Sequence, residues 1–252
     1  MPSAEMIEIV GPAFTAGLMV ALTHAPLGIE VLKRGIIFID LAIAQIAGLG
    51  LVAASLYFHA SAWWVSQSAA LTCAMLAGLF FRLIERKVPQ QQEAVIGSSF
   101  ILAASLALLL LADHPHGGEE VQHLLSGQVL FVTWLDVLTH LPVYAVILTL
   151  WFLIPTIRSS RWFYLLFALA ITSSVQLVGV YVVFASLILP ALASVNSARP
   201  HKTAWLCGIL AVLAGLTLST WLDLPAGPLL VIVYTVMCLL SLARRSIAGQ
   251  KW

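Results

Sequence analysis

Long apolar runs separated by short polar breaks cover almost the entire chain. A helix crosses about 30 Å of hydrocarbon at about 1.5 Å per residue, so a span needs about 20 mostly apolar residues. On that measure the pattern predicts spans near 9–32, 36–58, 62–84, 94–112, 134–156, 162–177, 179–198, 203–221 and 225–243. The stretch 162–198 reads either as two short helices or as one long helix with a broken segment. The prediction is therefore an all-α, polytopic bundle of nine spans, with eight as the alternative. The largest connection is 113–133, and no soluble domain, long linker or short internal repeat interrupts the pattern.

Charge gives the bundle an orientation. All 12 Lys and Arg fall in five groups: Lys33/Arg34, Arg82/Arg86/Lys87, Arg158/Arg161, Arg199/Lys202 and Arg244/Arg245/Lys251. Each group follows an odd-numbered span of the nine. Basic residues in short loops stay cytoplasmic, which predicts the N-terminus outside, the C-terminus inside and an even number of crossings within 162–198. The opposite face carries Glu5, Glu8, Asp113, Glu119, Glu120, Asp136 and Asp223. The opening MPSAEMIEIV has no basic region before its apolar run, which predicts that the first span is retained and not cleaved as a signal.

Composition excludes most other classes. Of 252 residues, 61% are hydrophobic and 9% are Asp, Glu, Lys or Arg, with a mean hydropathy of +1.02. A soluble domain carries about 25% charged residues, so a cytosolic enzyme and a nucleic-acid binder are ruled out. Cys73, Cys207 and Cys238 lie in apolar stretches without CxxC spacing and read as small core residues. There is no HExxH, no GxSxG and no GxxxxGK[ST] phosphate loop, so neither hydrolytic chemistry nor ATP binding of that kind belongs to this chain.

A few polar residues remain as candidates for function. Asp40 is the one carboxylate placed within a span, where a charge is costly and suggests a role in a pathway. Alternatively it pairs with Lys33 or Arg34, about two turns away. Gln45 is either a pathway group or a helix–helix hydrogen bond. His24 and His140, within or near spans, read as hydrogen-bonded to neighbouring helices. The outer connection holds His114, His116, Glu119, Glu120 and His123, whose nitrogen and oxygen donors suit zinc or manganese as a transient relay. Pro190 removes a backbone donor inside a span, which suits a helix in the bundle interior.

Four segments together resemble the membrane subunit of the zinc/manganese-type ABC transporter family. They are Pro26-Leu27-Gly28 through Phe38-Ile39-Asp40; Glu93-Ala94-Val95-Ile96-Gly97; Val178-Gly179 with Ala185-Ser186-Leu187-Ile188-Leu189-Pro190-Ala191-Leu192-Ala193; and Asp223-Leu224-Pro225-Ala226-Gly227-Pro228. The resemblance implies one transmembrane permease domain over 1–252, in the bacterial cytoplasmic (inner) membrane, working as a homodimer around a central pathway. It implies no tightly bound cofactor, a transported divalent metal ion, a cytoplasmic ABC ATPase as partner, and an extracytoplasmic metal-binding protein that delivers the ion. Asp40, Gln45 and Pro190 would line the pathway; Arg82, Arg86, Lys87, Arg158 and Arg161 would face the ATPase.

Two positions depart from the family pattern of Gly-Asp followed by His. Ile39 stands at the glycine, and Ala44 or Gln45 stands at the histidine. The cytoplasmic stretch after the fifth span is also short, running from Pro155 to Arg161. That shortness motivates an alternative, a stand-alone secondary transporter or ion channel with Asp40 as the coupling carboxylate.

Overall fold

The computed structural model describes residues 4–58, 63–111, 129–158 and 162–247. Among the described residues there are nine α-helices and no strand. They are α1 (Ala4–Arg34), α2 (Ile39–Phe58), α3 (Trp63–Lys87), α4 (Gln92–Leu110), α5 (Trp134–Leu153), α6 (Trp162–Val178), α7 (Val180–Ser194), α8 (Pro200–Leu222) and α9 (Ala226–Ile247). Seven contain segments long and apolar enough to cross a membrane; α6 and α7 are apolar but shorter.

The helix ends follow local chemistry. α1 closes on Lys33 and Arg34, whose positive charges suit the C-terminal dipole. It gives way at Gly35, which has φ +67°. α8 begins with Pro200, whose missing N–H costs nothing at a first turn. The ambiguous stretch 162–198 is two helices. Gly179, at φ +78°, separates them, a backbone state that only glycine adopts without strain. With 17 and 15 residues, they extend only about 25 Å and 22 Å at about 1.5 Å per residue.

The chain forms two compact units: residues 1–34, 126–144 and 177–252, and residues 35–125 and 145–176. In the first unit α1 packs on α7 and α8, and α9 packs on α7 and α8. Helix α7 is this unit's interior element, with 11 of its 15 residues buried, Pro190 among them. Its contact with α1 is made possible by Gly28, where a Cβ would overlap the Leu187 carbonyl oxygen and press on the Ala191 Cβ. Two of the four resemblance segments are thus the two sides of one helix seam.

In the second unit α2 packs on α3 and α4. Gly50 brings α2 close to Cys73 of α3, and Gly78 brings α3 close to the Tyr164 backbone of α6. An aromatic stack of Trp151, Phe163 and Phe167 joins the end of α5 to α6. Buried Gln92 donates from Nε2 to the Tyr164 hydroxyl at 2.7 Å.

Candidate functional site

Asp40 lies in the first turn of α2 and is completely buried. No side chain donates to either carboxylate oxygen; the nearby donors are the backbone amides of Asp40 and Leu41 at the start of α2. The alternative of pairing with a neighbouring base is not what forms: Arg34 bonds from Nε to Glu30 Oε1 at 3.2 Å, one turn back along α1. The nearby charged group is the carboxyl of Glu93, in the first turn of α4. Glu93 Oε1 accepts the Phe38 amide at 3.1 Å, so it caps the start of α2 from a neighbouring helix. Its other oxygen, Oε2, is buried without a partner.

The remaining predicted residues are distributed as follows. Gln45 is half-buried on α2, and Ala44, the ungapped counterpart of the family histidine, is buried. Pro190 lies within α7, one turn beyond Ser186, so the Ser186 carbonyl receives no N–H from it. Beside that turn, His24 of α1 is fully buried with Nδ1 2.8 Å from Ser186 Oγ, and Ser186 Oγ lies 3.0 Å from the Val183 carbonyl oxygen. With the hydroxyl proton on the carbonyl, His24 Nδ1 supplies the proton to Oγ, and both groups are satisfied. This is the helix–helix hydrogen bond expected of a histidine in a span.

Of the basic residues, Arg86 and Lys87 are exposed at the end of α3 and Arg82 is half-buried. Arg158 turns back onto the end of α5: Nε and Nη2 donate to the Trp151 carbonyl oxygen at 3.2 and 3.0 Å, with the guanidinium 5.5 Å from the Trp151 ring. His114, His116, Glu119, Glu120, His123 and Arg161 lie outside the described residues. Among the described residues no group of three or more His, Cys, Asp or Glu could hold a metal ion.

Sequence reasoning did not single out two of these residues. Glu93 opened one of the four motifs but carried no sign that it reaches back to the start of α2. Ser186 carried no sign of its histidine partner. The only available signal for Glu93 was an acid within the first turn of a helix, a position that usually reflects the helix dipole.

Known proteins resemble this arrangement along nearly its full length. The high-affinity zinc uptake system membrane protein ZnuB of Haemophilus influenzae is 24% identical over 263 residues, covering 95% of this chain and 99% of that protein. The manganese transport system membrane protein MntC of Halalkalibacterium halodurans is 22% identical over 253 residues, covering 91% and 85%. Among solved structures, PsaBC from Streptococcus pneumoniae in complex with Fab has the same fold, with a TM-score of 0.75 at 18% identity, over 94% of this chain and 92% of that one. The family model described as the ABC 3 transport family matches residues 6–157 and 153–245, and with it the multi-pass helical chain belongs to the ABC 3 transport family.

Proposed function

We propose that the chain is the membrane-spanning subunit of an ATP-driven importer for a divalent transition-metal ion, zinc or manganese, in the bacterial cytoplasmic membrane. The observation that carries this reading is family membership over nearly the whole length, with relatives named for zinc uptake and manganese transport. Residues 1–252 act as one permease domain of nine spans, with the N-terminus outside and the C-terminus inside. Two copies enclose the pathway.

The division of labour follows from the residues. The chain has no phosphate-binding loop, so hydrolysis belongs to a separate cytoplasmic ATPase subunit. Arg86 and Lys87, exposed at the end of α3, together with Arg82, Arg158 and Arg161 offer positive charge to that partner. An extracytoplasmic binding protein delivers the ion to the outer connection, where His114, His116, Glu119, Glu120 and His123 pass it inward. Asp40, Gln45 and the Pro190 turn of α7 border the route. ATP drives the cycle only through unequal affinity for the outward-open and inward-open states.

Two measurements test this. Purification of the tagged chain from native membranes in mild detergent recovers an ABC ATPase at near-equal stoichiometry. Cells lacking the chain accumulate less radioactive zinc or manganese under chelation. Recovery of the chain alone, together with unchanged uptake, would overturn the reading.

A further inference from the structure

Helices α3 and α6 of the second unit meet along a seam that is sealed at one end and polar at the other. At the sealed end a Cβ on Gly78 would stand 2.9 Å from the Tyr164 carbonyl oxygen and 3.5 Å from the Ala168 Cβ. Tyr164, Ala168, Thr172 and Gln176 follow at four-residue steps and so share one face of α6. The first three are buried, and Thr172 turns its hydroxyl back to the Ala168 carbonyl. Gln176 is exposed. On α3, three turns before Gly78, half-buried Gln67 accepts through Oε1 from Gln176 Nε2. The two helices therefore run antiparallel, and their seam opens at a pair of carboxamides.

Depth makes that pair costly in lipid. Gln67 lies four residues into α3, about 6 Å below Trp63 at about 1.5 Å per residue. The 17 residues of α6 extend about 25 Å, short of the about 30 Å of hydrocarbon, and Gln176 precedes its end. Two carboxamides carry four N–H groups, and the bond between them uses one. That count holds whichever way each amide is turned. The remaining donors are unmatched in a medium that offers no acceptor, and polar side chains at such depth face water or protein.

We infer that Gln67 and Gln176 line the water-filled entrance of the transport route, where a hydrated divalent cation passes. The inference rests on the importer reading, in whose orientation the pair lies toward the outer ends of α3 and α6. Carboxamide oxygens carry partial negative charge, so they accept from the waters around the ion without holding it as a carboxylate would. Conduction needs contacts of that kind, favourable enough to admit an ion and weak enough to release it.

The test is thiol labelling of intact cells with a charged, membrane-impermeant methanethiosulfonate, in a chain whose Cys73, Cys207 and Cys238 are replaced by Ala. A thiol reacts as its thiolate, which forms in water and not in hydrocarbon. Gln67→Cys and Gln176→Cys react about tenfold faster or more than Leu76→Cys, an exposed position deeper on α3. Labelling at Gln67→Cys also lowers uptake of radioactive zinc or manganese about fivefold or more, because a bulky charge then stands in the entrance. Thiols no more reactive than Leu76→Cys would overturn the inference, since the pair would then face lipid or a protein surface. Labelled thiols with unchanged uptake would overturn it too, because the pair would lie among the lipid headgroups.

Gln176→Glu needs no reagent. Gln67 turns its amide and donates to the new carboxylate, and the added charge lowers the KM for the ion about fivefold at an unchanged maximal rate. A bond that merely holds two helices together would leave KM unchanged, and that result overturns the inference. Metal uptake that depends on the chain, with both thiols unreactive, would remove this entrance and leave the importer reading intact. Reactive thiols in cells whose metal uptake is independent of the chain would do the reverse.

Discussion

His24 in the first unit and Asp40 in the second are both completely buried, yet their surroundings treat them in opposite ways. The imidazole meets Ser186 across the seam between α1 and α7, and the serine in turn reaches the Val183 carbonyl. The carboxylate meets no side-chain donor, only the amides at the start of its own helix, and the charged group beside it is another carboxyl. A buried polar group that is fully bonded holds helices in register. One left open costs stability and is kept where something else binds. The contrast gives the His24 seam a built-in partner that the Asp40 carboxylate lacks.

The glycines of the two regions show the same difference. Gly28 is there because a backbone carbonyl occupies the place of its side chain, whereas Gly97 faces space that is empty. The largest expected effect breaks the first seam. Gly28→Val pushes α1 away from Leu187 and costs more than about 3 kcal/mol by overpacking, read as loss of the folded fraction on thermal unfolding in detergent. Next comes Ser186→Ala, which removes the hydroxyl beside His24 Nδ1 and costs about 1–3 kcal/mol. Adding His24→Phe in the same chain recovers part of that loss, because both polar partners are then gone. A double-mutant cycle on unfolding free energies measures the coupling.

In the second unit the expected effects on stability shrink or change sign. Asp40→Asn removes a charge that lacks a partner, so the variant unfolds at the same temperature as the wild type or higher. Its metal uptake is lost all the same, and radioactive-ion accumulation in cells checks this. An Asp40→Asn chain that unfolds well below wild type would show the carboxylate to be structural and erase the contrast. Smallest is Gly97→Ala, which adds a methyl group without a clash in a helix interior and raises stability by about 0.5–1 kcal/mol.

Much of the architecture was legible beforehand because apolar runs in a bilayer have few alternatives. The predicted span 36–58 is α2, and 203–221 falls within α8. Gly179, listed in one of the four motifs, resolves the doubtful 162–198 stretch into two helices by its positive φ. The functional residues were harder to read. Asp40 stood out because a lone carboxylate in an apolar run is unusual, but whether it paired with Arg34 depended on side-chain geometry. Arg158 reads from the chain as a cytoplasmic base facing the ATPase, yet it folds back to the Trp151 carbonyl at the end of α5.

By itself the sequence determined the all-α membrane class and the rough limits of most helices, while the division of 162–198 stayed open. Those properties depend on composition and period, which are local to each run. Only the tertiary structure decided which helices touch: that Gly28 lies against Leu187, that His24 finds Ser186 162 residues away, and that Glu93 reaches the start of α2 from 55 residues on. Contacts between helices depend on how their faces are turned, and in an almost uniformly apolar chain hydrophobicity does not distinguish one face from another.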